Sequence, residues 1–139
     1  MRVISFVVTG DPVGKGRPRL GRNHTYTPPK TAKYEDYVRL SYNLQVSDKR
    51  PLEGNINANI VAYFKPAKSA SKTEKMLMYY GKRRPTKKPD IDNITKIIFD
   101  ALNKVAYTDD SQIVFLQASK KYITNEDEPA RVIVTLSGD

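Results

Sequence analysis

Apolar and polar residues alternate most clearly over residues 56–64, where Ile56, Ala58, Ile60, Ala62 and Phe64 fall between Asn55, Asn57, Asn59, Val61 and Tyr63. A period of two sends the two sets to opposite faces of an extended chain. The segment is therefore predicted to be a strand with one face in a core and the other partly wet. A different period governs Ile94, Ile97, Ile98, Ala101, Leu102 and Val105. Positions i, i+3, i+4, i+7, i+8 and i+11 share one side of an α-helix, the clearest amphipathic helix in the chain. A weaker helical repeat, Tyr34, Tyr37, Val38 and Leu44, extends to about Val46. Thr31 is placed to cap that helix, with Glu35 and Asp36 near its first turn.

The β-branched and aromatic run 3–8 is stopped by Gly10, Asp11 and Pro12 and is predicted to be a strand. Two further strands are expected over about 112–121 and 131–136, joined by a turn-like stretch at 124–129. Residues 11–29 have loop chemistry: Gly14, Gly16, Gly21, Pro18, Pro28 and Pro29 alternate with Lys15, Arg17, Arg19 and Arg22. Residues 65–89 read as a polar, basic excursion from the core. They hold one short helix from about Ser71, where Ser71 and Glu74 match a capping box before Met76, Leu77 and Met78. The expected fold is a single α+β domain over residues 1–139, a mixed β-sheet packed with two main helices plus the excursion. A length of 139 residues suits one domain, and no internal repeat or long linker divides it.

Composition narrows the chemistry. With no cysteine and the single histidine His24, there is no thiolate or His-pair metal site and no cysteine nucleophile, so a metal would have to sit on oxygens. No apolar run reaches the roughly 18–20 residues of a membrane span, and the N-terminal apolar run is too short for a secretory signal, so a cytoplasmic protein is expected. The net charge of +9 is unevenly spread: 19 Lys+Arg stand against 6 Asp+Glu over residues 1–89, and 5 against 9 over residues 90–139. A basic body with an acidic last third points to a polyanionic partner, with phosphate contact as the source of affinity.

The acids gather around the strong helix. In KPDIDNITK, Pro89 precedes Asp90, and Asp92 stands where an N-cap is expected. If the segment is extended, Asp90 and Asp92 point to one side and converge on one ion. The alternative is that Asp92 caps the helix while Asp90 favours its positive end, worth about 1 kcal/mol. A second pair, Asp109 and Asp110, follows the helix. It reaches Asp92 only if the chain turns back along the helix axis, which the sequence leaves open. If it does, the mutual repulsion of three carboxylates calls for a divalent cation, Mg²⁺ or Mn²⁺. An EF-hand starting at Asp90 fails because Thr95 and Ala101 replace its Gly and Glu. A phosphate-binding loop at Gly10–Gly14–Lys15–Gly16 has the wrong spacing and ending.

The string KPDIDNITKIIFDALNKVAYTDDSQI resembles the signature of RusA-family Holliday junction resolvases, an Asp-x-Asp-Asn, a Lys four residues after the second Asp, then Asp-Ala-Leu and a later Asp-Asp. The segments GKGRPR and TYTPPKTAKYE resemble those of bacterial and phage members. The resemblance implies a mixed α/β fold and a Mg²⁺-dependent homodimer that nicks opposed strands of a four-way DNA junction. It also implies Asp90, Asp92 and Asp110 as the catalytic, metal-binding acids, with Asp109 the lesser candidate for the third, and Lys96 as the essential lysine. Lys96 lies one helical turn beyond Asp92, where its ammonium would stabilise charge at the scissile phosphate or orient water. Its alternative role is a surface ion pair with Asp92 or Asp100.

Asp100 is expected to form ion pairs, and Asn93 a hydrogen bond near the helix start. Lys15, Arg17, Arg19, Arg22, Lys82, Arg83, Arg84, Lys87 and Lys88 crowd loops and are the expected DNA-phosphate contacts. Tyr26, Tyr34, Tyr37, Tyr79 and Tyr80 are candidates to stack on unpaired bases, although Tyr34 and Tyr37 equally suit helix packing. Two matched nicks in a near-symmetric junction imply an isologous dimer. The rival functions are a less selective branched-DNA nuclease and a non-catalytic DNA-binding protein.

Overall fold

The computed structural model describes residues 1–139 except Asn23, and for Arg19 the backbone only. In chain order it contains β1 (Arg2–Thr9), β2 (Arg19–Leu20), β3 (Thr25–Tyr26), α1 (Pro29–Gln45), β4 (Ile56–Phe64), α2 (Lys72–Tyr79), α3 (Ile91–Leu102), a 3-10 turn (Asp110–Gln112), β5 (Ile113–Tyr122) and β6 (Arg131–Gly138). The main sheet runs β1-β6-β4-β5, with β4 and β5 parallel and the other neighbours antiparallel. This is the expected α+β arrangement of a mixed sheet with helices.

The period-two residues build the core as anticipated. Ile56, Ala58, Ile60, Ala62 and Phe64 of β4, Val132, Val134 and Leu136 of β6 and Ile4, Phe6 and Val8 of β1 are all buried in one cluster. Tyr34, Val38 and Tyr42 of α1 and Ile94, Ile97, Ile98, Ala101 and Leu102 of α3 complete it. Phe6 meets Tyr42 edge-on at 5.6 Å between ring centroids, tying α1 to β1.

Four local expectations are corrected. Thr31 does not cap α1: Pro28 is the N-cap residue, and the Thr31 hydroxyl accepts from the Gly16 N–H at 3.1 Å. Tyr37 and Leu44 are exposed, because the buried stripe runs through Thr31, Tyr34, Val38, Ser41 and Tyr42 and leaves those two on its flank. The N-cap of α3 is Asp90, so Asp92 is a helical residue in the first turn and Val105 lies beyond the last. The loop over 11–29 also contains a two-residue hairpin, with Arg19 opposite Tyr26 and Leu20 opposite Thr25. At the excursion, by contrast, Ser71 caps α2 as expected, accepting from Glu74 N–H at 3.1 Å.

Candidate active site

The placement of Asp90 and Asp92 follows from the start of α3. Asp90, the N-cap, keeps an extended backbone while Asp92 is already helical, and the two line different cavities instead of one. Asp92 lines a groove of about 430 Å³ between α3 and β5, together with Lys96, Asp100, Asp110 and the apolar Leu116 and Ala118. Asp90 lines a neighbouring cavity of about 660 Å³, walled by the 14–18 loop, Lys30, Thr31, Lys88 and Asn93.

Asp92 and Asp110 stand at opposite ends of their groove. The Asp110 N–H donates to Asn103 Oδ1 at 3.2 Å, which holds the 3-10 turn against the C-terminal end of α3. Asn103 is eleven residues beyond Asp92, an axial separation of about 16 Å at 1.5 Å per residue. Accordingly, no three His, Asp or Glu side chains among the described residues are grouped to hold a metal. The Asp109 carboxylate is engaged within its own turn, accepting from the Ser111 N–H at 3.0 Å, and the Ser111 side chain first, then this N–H, lower its pKa. The Tyr107 phenol, beside this end of the groove, donates to the Phe99 carbonyl at 2.8 Å. Burial first, and then the charges of Asp110, Asp100 and Asp109, push its pKa upward and keep it a donor.

Lys96 is exposed and takes part in no ion pair among the described residues. Asp100 is paired elsewhere, with Lys15. The Lys15 ammonium lies 2.9 Å from Glu35 Oε2 and 3.1 Å from Asp100 Oδ2, while its N–H donates to the Asn93 carbonyl at 2.9 Å. Burial works against this charge, but the bonds to Glu35 and Asp100 outweigh it and raise the pKa above the ordinary lysine value. Lys15 thus clamps the Gly-rich loop to α1 and α3, and its charge is already matched inside the protein. The loop approaches so closely that a Cβ on Gly14 would sit 2.9 Å from Pro89 Cβ, and one on Gly16 2.7 Å from Thr31 Oγ1.

The other expected DNA contacts divide by partner. Arg17, Arg22, Lys82 and Lys88 are exposed and form no ion pair among the described residues, whereas Arg83 pairs with Glu74 at 3.5 Å. Arg84 donates to the Lys120 carbonyl at 3.2 Å, and Lys87 lies over the Phe64 ring. The side chain of Arg19 is outside the described set. Tyr79 and Tyr80 line a cavity of about 280 Å³ with Tyr63, Tyr122, Arg83, Arg84 and Lys121, while Tyr34 is buried in the core.

A model of the RusA endodeoxyribonuclease family matches residues 9–137. The chain belongs to the RusA endodeoxyribonuclease family. It is also 40% identical over 131 residues to YqaN of Bacillus subtilis (strain 168), an uncharacterized protein, in an alignment covering 88% of this chain and 89% of YqaN. The resemblance seen in the KPDIDN string is therefore borne out over nearly the whole chain. RusA-family proteins are endodeoxyribonucleases that act on branched DNA junctions. Among the described residues, no helix of this member is long and apolar enough to cross a membrane.

Sequence reasoning missed Lys30 in the cavity beside Asp90, Glu35 as the partner of Lys15, and Tyr63 and Tyr122 in the cavity lined by Tyr79 and Tyr80. Glu35 was legible only as an acid near the first turn of α1, a turn that holds no acid because the helix already begins at Pro29, and its partner Lys15 lies in another segment. Tyr63 and Tyr122 carried a signal: they are the next-to-last residue of β4 and the last of β5, and the parallel β4–β5 register sets Tyr63 beside Lys121 and Phe64 beside Tyr122.

Proposed function

We propose that this protein is a Mg²⁺-dependent endonuclease that resolves Holliday junctions by paired symmetrical nicks, acting as a homodimer in the cytoplasm. The observation that carries the reading is that Asp92 and Lys96, one helical turn apart and in no ion pair among the described residues, line one groove, while Arg17, Lys30 and Lys88 line the cavity beside Asp90. Asp90, Asp92 and Asp110 are the proposed metal-binding carboxylates. Within one chain their fit is incomplete, because Asp90 and Asp92 line different cavities and Asp110 lies at the far end of the groove that Asp92 lines. Mg²⁺, or Mn²⁺ in its place, supplies a polarised phosphodiester and an acidified water when bound.

The chain's own residues do the rest. Lys96 presents its ammonium to the scissile phosphate and stabilises the charge that develops there. Arg17, Arg22, Lys82, Arg83, Arg84, Lys87, Lys88 and Arg19 hold the flanking backbone. Tyr79 and Tyr80, in a cavity edged by arginines, suit stacking on bases unpaired at the junction centre. Lys15, although counted among the phosphate contacts in the sequence, acts by holding the loop that carries Arg17.

Cleavage of a synthetic four-way junction with a mobile core, beside a matched duplex and a flap, tests the proposal. Ligatable duplexes from paired nicks, lost with EDTA and in Asp92→Asn, support it. Equal cutting of all three substrates replaces it with a less selective branched-DNA nuclease, and tight binding without nicks with a DNA-binding protein.

A further inference from the structure

We propose that the cavity lined by Tyr63, Tyr79, Tyr80 and Tyr122 is a pocket for one nucleobase swung out of a DNA helix, held there by ring stacking at a fixed offset from the acidic site. The choice of DNA as ligand rests on the branched-DNA reading above; occupancy of the pocket is read from binding, not from cutting.

Three segments distant in sequence supply the rings. Tyr63 is next to last in β4 and Tyr122 last in β5, set close by the parallel register, while Tyr79 ends α2 and Tyr80 is its C-cap. Gly81 follows in the left-handed region at φ 75° and reverses the chain, so that Arg83 and Arg84 return beside the two tyrosines. The Lys82 N–H on the Leu77 carbonyl at 2.9 Å fixes that turn. The space enclosed is about 280 Å³. It falls just below the range of about 300–1,000 Å³ typical of small-molecule sites, which suits one base and not a stacked pair.

The four rings do not pack on one another. Clustered aromatic side chains ordinarily meet edge to face or offset. None of these makes such a pair among the described residues. Tyr63 is covered instead by the Arg131 guanidinium, 4.2 Å from its centroid and itself held by Glu128 at 3.2 Å. Tyr80 is 73% exposed. A flat ring entering the cavity would take this apolar surface out of water.

The walls carry positive charge, and no Asp or Glu lines them. Arg84 gives one N–H to the Lys120 carbonyl at 3.2 Å and, like Lys121, forms no ion pair among the described residues. Open π-faces beside cations match a nucleotide, a flat ring carried on a phosphate. A base inside a duplex has both faces covered by its neighbours, so the ligand is a base out of the stack. Extruding one costs least where pairing is already interrupted. Because stacking tolerates every base, the pocket reads that a base has left the helix and not which base it is.

The offset is set by the chain. Arg84 on the Lys120 carbonyl and the Lys120 ammonium on the Lys87 carbonyl, at 2.6 Å, pin this segment along the end of β5, and Asp90 follows three residues after Lys87. Arg84 and Asp90 are six residues apart, at most about 20 Å. At about 3.4 Å per nucleotide along a strand, the extruded base lies within about six nucleotides of the phosphate at the acids.

Binding of a four-way junction in EDTA, where no strand is cut, tests the pocket. Each nucleotide within six of the crossover is replaced in turn, on both symmetry-related strands, by an abasic residue that keeps the phosphate. For the wild type one position should stand out, with affinity at least about fivefold lower, the low end of what a base stacked on an aromatic side chain contributes. Tyr80→Phe, which keeps the ring, should reproduce that profile. Tyr80→Ala should weaken binding of the intact junction by a similar factor and show no further loss at the abasic position, because the two changes remove one contact. A flat wild-type profile, or losses that simply add, overturns the pocket, and the wild-type profile decides the matter even if Tyr80→Ala fails to fold. A wild type with the expected profile that cuts nothing in Mg²⁺ removes the nuclease reading and leaves the pocket. One that nicks junctions with a flat profile removes the pocket alone, and one that binds no branched DNA removes both.

Discussion

Asp92 and Lys96 share a groove with no ion pair between them, which leaves the Lys96 ammonium to meet an incoming phosphodiester and the Asp92 carboxylate to meet a cation. Asp92→Asn keeps the shape and removes the charge. Junction nicking should fall by at least about 10²-fold, the scale set by loss of one preorganised electrostatic group. Junction affinity measured with EDTA should stay within a few-fold of wild type, since removing an acid from a DNA-facing groove does not weaken phosphate attraction. A parallel loss of affinity would mean that Asp92 organises the fold. Gly14 is the contrasting case, because its importance lies in space. A Cβ there would meet Pro89 Cβ at 2.9 Å and Asn93 Cβ at 3.1 Å, two atoms fixed by the start of α3. Gly14→Ala should lower unfolding free energy by about 1–3 kcal/mol in a denaturant titration, the usual cost of overpacking.

At the scale of elements, α3 unites core and site, with five buried apolar side chains on one face and Asp92 and Lys96 on the other. Ile98→Ala should cost about 2–5 kcal/mol with an unchanged dependence on denaturant, as a cavity in an otherwise intact core does. The periods that define this helix and β4 were visible in the sequence because a one-sided core imposes them directly on neighbouring residues. The start of α3 was less legible. Asp90 and Asp92 are both good cap residues, and the choice of Asp90 is bound up with how Pro89 packs against the Gly14 loop, a contact between segments some seventy-five residues apart. The face of α1 was blurred for a related reason: Tyr37 and Leu44 have the right chemistry for a core, but the sheet reaches only the neighbouring stripe. The Asp-x-Asp-Asn and Asp-Asp strings located the acids, yet the distance between them depends on where the chain goes after α3. That the 3-10 turn is pinned at Asn103, far from Asp92, is a tertiary result that local spacing does not encode.

For the whole molecule, the net charge of +9 overstates what is free to meet DNA. Lys15 is neutralised by Glu35 and Asp100, and Arg83 is paired with Glu74 at the surface, whereas Arg17, Arg22, Lys82 and Lys88 carry no internal partner among the described residues. Counterion release counts only cations that reach phosphate, with a slope of about −0.9 in log K against log salt for each contact on duplex DNA. Measured on a four-way junction over a range of salt without divalent metal, Arg17→Ala and Lys88→Ala should each make the slope shallower by about one contact. Lys15→Met should leave the slope unchanged, although it removes the same formal charge. That substitution leaves Glu35 and Asp100 facing each other without a cation, so its effect should appear as a lower unfolding temperature and slower nicking at saturating enzyme, through a loosened 14–18 loop. A slope change for Lys15→Met equal to that for Arg17→Ala would place its ammonium on the DNA and remove its role as a clamp. The two kinds of basic residue, side by side in GKGRPR, are thus separated by salt dependence, a property of the assembled molecule and its field.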